Sequence, residues 1–400
     1  MKKIVVSSAL SALLVLPAMA FEVYNNDDVK VDVYGSIRGY VGYGESGKAG
    51  ADAGYLIGIQ NNSQFGVKFQ KDKFKANVEW GAVEAGVDGK TDKGGTGWRH
   101  FWGSYTTSVG TFLFGKTNTP TIDNGFTNDF FNNDNGSQGF GGVATGSRKI
   151  QIQYNVAGLS LALVEDKTGA GRNLQDNNAA PNQESPRIAA SYSINDEKGK
   201  PTFKVAATYK YYNSGTILGN LGTADQPINT QGVSAYHAWL GVKQSFGGMF
   251  ISAMAHYGKN GNLYGEQSTT FSYGGYAHSK DLDSAVGLDA QRAGARLEIG
   301  SKLSDDMSVI VGAGYQATFG GKGQKDAVTV DGGATKDSMI HGYSAFIQLP
   351  YKVSSNFTFA PQVSFYQTIE GTKGVGSVGA LATDRKETGV IAAARIKWDF

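Results

Sequence analysis

The sequence predicts an all-β protein, specifically a transmembrane antiparallel up-and-down β-barrel of about sixteen strands with short turns at one end and long loops at the other. Three observations predict it. Apolar and polar residues alternate with period two in segment after segment, as strands do when their two faces meet different surroundings. The connections between these segments alternate short and long. Beyond the N-terminal leader, no apolar run reaches the length of a membrane-spanning helix, although the chain holds 20 Tyr, 21 Phe and 5 Trp.

The leader is read first, because it fixes where the fold starts. Lys2 and Lys3 precede an apolar run, Ile4 to Leu16, and Pro17-Ala18-Met19-Ala20 closes it with a helix breaker and small residues at the A-x-A positions. This is the layout of a secretory signal peptide, and the run is too short to serve as a spanning helix. Residues 1–20 are therefore expected to be removed, which leaves 21–400 as one barrel domain.

The alternation is explicit. Val29, Val31, Val33, Ile37 and Val41 share one face of the opening segment, and Lys30, Asp32, Ser36 and Arg38 share the other. Phe65, Val67 and Phe69 oppose Gln64 and Lys68, and Ala293, Ala295, Leu297 and Ile299 oppose Arg292, Arg296 and Glu298. At the C-terminus Val390, Ala392, Ala394, Ile396, Trp398 and Phe400 oppose Arg395, Lys397 and Asp399. The expected strands are 29–43, 55–70, 74–86, 98–107, 109–116, 148–155, 159–167, 187–195, 201–212, 233–246, 248–259, 289–303, 307–319, 338–351, 356–369 and 387–400. Eighteen strands remain open if two have been merged.

The connections carry independent information. Lys71-Asp72-Lys73, Val156-Ala157-Gly158 and Ser304-Asp305-Asp306 are tight, whereas 117–147, 213–232 and 260–288 are long. Strict alternation of this kind belongs to a barrel with tight periplasmic turns and long external loops, and not to a sandwich or propeller. Both chain ends fall on the short-turn side, so the first and last strands can pair and close the sheet. Aromatic residues near strand ends, among them Tyr43, Tyr55, Trp80, Tyr257 and Trp398, suit interfacial girdles.

Composition excludes several functions. The 37 basic and 35 acidic residues become equal once Lys2 and Lys3 leave, so no clustered positive excess for nucleic acid is visible. The absence of cysteine removes disulfides, thiolate metal sites and thiol catalysis. The histidines show no metal-ligand spacing, no nucleophile elbow is present, and glycine-rich stretches such as 139–142 do not sit between strand and helix. No enzyme, metal or cofactor is expected.

Strand number implies function. About eight strands enclose only their own side chains, whereas sixteen to eighteen leave an aqueous channel. No plug domain precedes the first strand of the expected mature chain. A loop must narrow so wide a hole. The longest, 117–147, carries Asp123, Asp129 and Asp134, with Phe126, Phe130 and Phe131 to pack it. Loop 260–288 is the rival.

At this level of detail the chain resembles the general bacterial porins, the trimeric sixteen-stranded diffusion pores of Gram-negative outer membranes. The resemblance rests on Val33-Tyr34-Gly35-Ser36 in the first strand and Ser63-Gln64-Phe65-Gly66-Val67-Lys68 in the second. It extends through Arg99-His100-Phe101-Trp102-Gly103 and Val109 to Lys116 in the hairpin before the long loop, and Gly141-Gly142-Val143-Ala144-Thr145 with Arg148 at its exit. It implies a constriction loop folded into the lumen, with Asp123, Asp129 and Asp134 opposite a basic wall at Lys68, Arg99 and Arg148. Alternation independently turns Arg38, Lys68, Lys149, Arg395 and Lys397 inward. Ile396, Trp398 and Phe400 resemble the C-terminal signal read by the barrel-assembly machinery. The resemblance also implies a homotrimer embedded among outer-membrane lipid and lipopolysaccharide, passing ions and small hydrophilic solutes. One departure is Gln64, which stands where the family carries arginine and removes a cation from the wall.

Two other readings stay open. A substrate-specific channel for sugars or oxyanions would use lumen aromatics such as Trp239 and Tyr366, and a surface adhesin or receptor would act through the long loops.

Overall fold

The computed structural model describes residues 21–26, 28–46, 54–60, 63–83, 95–123, 125–129, 141, 148–165, 185–197, 199–212, 216–217, 228–229, 232–260, 291–319, 339–371 and 385–400. The expected leader, most of the long loops including 261–290, and Asp134 lie outside the described residues.

Among the described residues, sixteen antiparallel strands close into one barrel. In chain order strand 1 is Val29–Ser46 and strand 2 is Gly54–Ile59 continued by Gln64–Lys71. Strands 3 to 8 are Phe74–Val83, Gly95–Thr107, Gly110–Thr117, Lys149–Val156, Leu159–Val164 and Arg187–Asn195. Strands 9 to 13 are Pro201–Tyr212, Val233–Phe246, Met249–Lys259, Gln291–Lys302 and Ser308–Phe319. Strand 14 is Met339–Gln348 with Tyr351–Lys352, strand 15 is Phe357–Gly371 and strand 16 is Arg385–Asp399. Each strand pairs with its neighbour in sequence, and Ser36–Ser46 of strand 1 pairs with 389–399 of strand 16.

Closure follows from the solvent. Hydrocarbon offers no partner to a backbone N–H or C=O, so an open edge would leave a row of them unsatisfied at several kcal/mol each. The last residue completes the seam: the Phe400 carbonyl accepts from the Gly35 N–H at 2.7 Å, and the Phe400 N–H donates to the Gly35 carbonyl at 3.0 Å. A further strand, Phe21–Asn26, hairpins onto 29–33 and continues the ladder below Phe400.

The faces divide as the alternation requires. Ile37, Val41, Phe114, Ile152, Leu163, Leu240, Val311 and Val363 are exposed on the outside, where lipid would solvate them. Glu79, Gln151, Arg187, Lys204, Arg296 and Gln362 are buried on the inside. The tight turns use left-handed backbone: Ala157 has φ 47° and Gly158 φ 85°, the pairing that a two-residue hairpin loop needs.

Two departures from regular alternation have local causes. The two segments of strand 2 end at Ile59 and resume at Gln64, and next to the latter Ser63 replaces part of the ladder: its hydroxyl accepts from the Arg38 N–H at 2.9 Å and donates to the Arg38 carbonyl at 3.0 Å. Between strands 3 and 4 a bulge pairs Glu79 with His100 and Trp80 with Trp98, leaving Arg99 as the extra residue.

The seam yields a test. A Cβ on Gly35 would lie 2.3 Å from the Phe400 ring. Gly35→Val should cost about 1–3 kcal/mol by overpacking, lowering the temperature at which the folded band disappears in unheated gel electrophoresis. An unchanged transition would mean that the ring does not hold this position.

Candidate functional site

The inside of the barrel is occupied by the loop that leaves strand 5. Gln151 of strand 6 turns the chain inward at its root, donating from Nε2 to the carbonyls of Thr117 at 3.2 Å and Asn118 at 2.8 Å. Thr119 and Thr121, both buried, share a hydroxyl contact of 3.0 Å. The loop then crosses to the opposite wall, where a succession of strands receives it.

The reception is mostly side chain to backbone. The Thr121 carbonyl accepts from Trp239 Nε1 of strand 10 at 2.8 Å, and that of Ile122 from Lys204 Nζ of strand 9 at 2.7 Å. Lys243 Nζ donates to the Gly125 carbonyl at 3.1 Å, and Ser252 Oγ to the Phe126 carbonyl at 2.7 Å. Glu298 of strand 12, fully buried, accepts from the Thr127 hydroxyl, from the Asn128 N–H at 2.8 Å and from Asn128 Nδ2 at 2.9 Å. Gln348 of strand 14 donates to the Asn128 carbonyl at 3.0 Å, and Gln362 of strand 15 donates to Asp129 Oδ1 at 2.6 Å. A loop in a wet lumen has orphaned carbonyls and N–H groups, and these side chains satisfy them one by one.

One apolar anchor accompanies them. Phe126 sits in a cup of Ala206, Trp239 and Met254, with its ring 5.8 Å from that of Trp239 at an interplanar angle of 73°. Gly241 makes the space, since a Cβ there would lie 2.9 Å from the Phe126 ring. At the far end of the loop the Gly141 backbone, with φ 79°, rests so close to strand 12 that a Cβ would lie 2.0 Å from the Ala295 carbonyl oxygen.

The other side of the lumen is basic. Arg38, Lys68, Lys149, Arg395 and Lys397 all turn inward on strands 1, 2, 6 and 16, and Arg38 faces Lys397 across the seam. The bulge turns Arg99 inward as well. Its Nε donates to Glu79 Oε1 at 2.7 Å and its Nη2 to Gln64 Oε1 at 3.1 Å. Gln64 thus holds a cation where another arginine would repel it. Tyr34 donates to Glu79 Oε2 at 2.8 Å, Arg148 Nε lies 3.4 Å from His100 Nε2, and Lys68 Nζ lies 4.5 Å over the Tyr34 ring. Lys397 pairs with Asp399 at 2.7 Å.

The loop acids take distinct places. Asp123 reaches Arg296 Nη2 at 3.8 Å, and Asp129, 3 % exposed, is tied to Gln362. Asp134 and all of the rival loop 260–288 except Asn260 lie outside the described residues. Ile396, Trp398 and Phe400 face outward on the final strand. Trp239 and Tyr366 are 3 % and 1 % exposed, so the aromatics suggested for a sugar path are covered. Sequence reasoning did not single out Glu79, Glu298, Gln348, Gln362, Lys204 or Lys243. Period-two alternation turns most of them inward, but their partners are remote in sequence.

No protein-family model and no curated protein matches the chain. Solved structures do share its fold. The outer membrane channel DcaP of Acinetobacter baumannii is 14 % identical, with 96 % of this chain covering 100 % of that one at a TM-score of 0.61. The trimer form of OmpT, an outer membrane protein of Vibrio cholerae, is 14 % identical over 94 % of this chain and 100 % of its own at 0.51. Salmonella typhi OmpF, in complex with daunomycin, is 13 % identical over 94 % and 99 % at 0.50.

The anchoring predicts a measurable local stability. Phe126→Ala should remove about 3 kcal/mol from the seat, speeding hydrogen exchange of the Asn128 amide about a hundredfold while strand amides keep their protection. Equal protection in the variant would show that the polar contacts hold the loop unaided.

Sixteen strands closed by the Phe400 seam, an apolar outside, a polar inside and this set of structural neighbours make the chain a transmembrane β-barrel with the fold of the Gram-negative outer-membrane porins.

Proposed function

We propose that this protein is a diffusion porin, a water-filled passage for ions and small hydrophilic solutes, and not an enzyme. The observation that carries the reading is the loop at 118–129, laid across a sixteen-stranded lumen and hydrogen-bonded to its wall from strand 9 to strand 15. A barrel of this width conducts unless filled, and a loop pinned along one side narrows it while leaving the basic side wet. Opposed dipoles and charges across such a gap order water, so an apolar solute must disrupt that order to pass.

The expected partners follow from the same reading. The apolar outer band would meet lipid and lipopolysaccharide, and Ile396, Trp398 and Phe400 on the closing strand would be presented to the barrel-assembly machinery. A homotrimer is the expected state, supported by the trimer form of the structurally similar OmpT. The leader 1–20 would direct export. In this reading Arg38, Lys68, Arg99, Arg148, Lys149, Arg395 and Lys397 form the basic side of the filter. Asp123 and Asp129 hold the loop in place as well as contributing charge.

Purified from unheated detergent extracts, the protein should have the mass of three chains and should insert into planar bilayers with stepwise, long-lived conductance that closes in three equal levels. Folded protein that gives no conductance would overturn the pore, and a single level from a one-chain mass would overturn the trimer.

A further inference from the structure

The sequence is electrically balanced once the leader is removed, but its topology is not. Charge matters to a permeating ion only where the ion passes, and the inner face of the described barrel is dominated by cations. Among the described side chains, the strands turn Asp32, Glu79, Glu298 and Asp399 inward, and each is already engaged. Asp32 pairs with Lys30 at 3.4 Å, Glu79 with Arg99 at 2.7 Å, Asp399 with Lys397 at 2.7 Å and Glu298 with Arg296 at 3.7 Å, Glu298 also accepting from Thr127 and Asn128 of the loop. Of the described loop acids, Asp123 pairs with Arg296, and Asp129 is buried against the far wall, where the Gln362 amide binds it.

Several inward cations are satisfied differently. Among the described residues, no carboxylate lies within salt-bridge distance of Lys68, Arg148, Lys204 or Lys243. Lys204 and Lys243 donate to loop carbonyls at 2.7 and 3.1 Å, which solvates their charge without cancelling it. Lys68 has its ammonium over an aromatic ring and is exposed to the lumen, and Arg148 leans on a histidine. Lysine on one wall thus sits behind the loop, and Lys68 and Arg148 stand on the wall across from it. Low-dielectric walls focus such a field into the passage.

We infer that the passage selects for small anions, chloride and small anionic metabolites being favoured over cations of like size, with Lys68 and Arg148 as specificity-determining residues. The inference rests on the pore reading above and adds to it the sign of the preferred solute.

The test is the reversal potential of the intact protein in a planar bilayer under a potassium chloride gradient. The expected sign is that of chloride permeating faster than potassium. Lys68→Gln should move the potential toward the cation side, and Lys68→Gln with Arg148→Gln should move it further. Lys68→Gln changes an exposed side chain, so it keeps the test available if the double variant does not fold, as judged by the folded band in unheated gels. A wild-type potential at zero or on the cation side, with channels open, overturns the inference and leaves the porin reading standing. Unchanged potentials in the folded variants overturn the assignment to these residues. Folded protein without any conductance removes the porin reading, and this inference falls with it.

Discussion

Everything in this molecule depends on the hydrogen-bond ladder being closed. A sheet that spans hydrocarbon cannot leave an edge, because each unpaired backbone group has no water to turn to. The pairing of strand 1 with strand 16, completed by the reciprocal Gly35–Phe400 bonds, removes the last edge. Without Phe400 the Gly35 N–H and carbonyl would lack these partners.

Closure with sixteen strands creates the next problem. A ring of that size encloses more space than its inward side chains can fill. The loop after strand 5 occupies part of that space, and it cannot do so as an ordinary apolar core would, because its backbone brings polar groups with it. The wall answers with lysine, tryptophan, serine, glutamate and glutamine side chains from strands 9, 10, 11, 12, 14 and 15 that meet successive loop groups, and with an apolar cup for Phe126. The glycine at 241 belongs to this solution, since any larger residue would push the ring out of its seat.

The fold was legible because both of its determinants are local. Period-two alternation and the short-long order of connections are properties of neighbours in sequence, and they located the strands to within a few residues from Val29 to the C-terminus. What alternation missed was where it is locally broken. At Ser63 a side chain stands in for backbone, and at Arg99 a bulge adds a residue and turns a side chain inward. The seat of the loop was not legible for a different reason. Glu298 lies 170 residues from Asn128, and Gln362 lies 233 from Asp129, so their pairing is fixed by barrel geometry, which one sequence does not print. The loop's aspartates were noticed as acids, but a carboxylate's role depends on what meets it. Asp129 meets an amide that ties it down.

Charge shows the same division between composition and placement. A balanced sum would suggest a passage indifferent to sign if the charges were mixed evenly. A barrel does not mix them: alternation sorts every strand residue into lipid or lumen, so ionised groups on strands are driven inward, where the cost of removing them from water is avoided. Inward carboxylates here meet cations while they hold the wall and the loop together, Glu79 pairing with Arg99 and Glu298 with Arg296, the latter also accepting from Thr127 and Asn128. The lysines that support the loop are spent on carbonyl dipoles instead, which leaves their formal charge in place. Gln64 fits this economy of repulsion, because a neutral acceptor beside Arg99 steadies a cation that a second arginine would push away. Which charges the lumen presents is therefore a matter of strand register and of the partners each carboxylate meets, and less of how many acids and bases the chain contains.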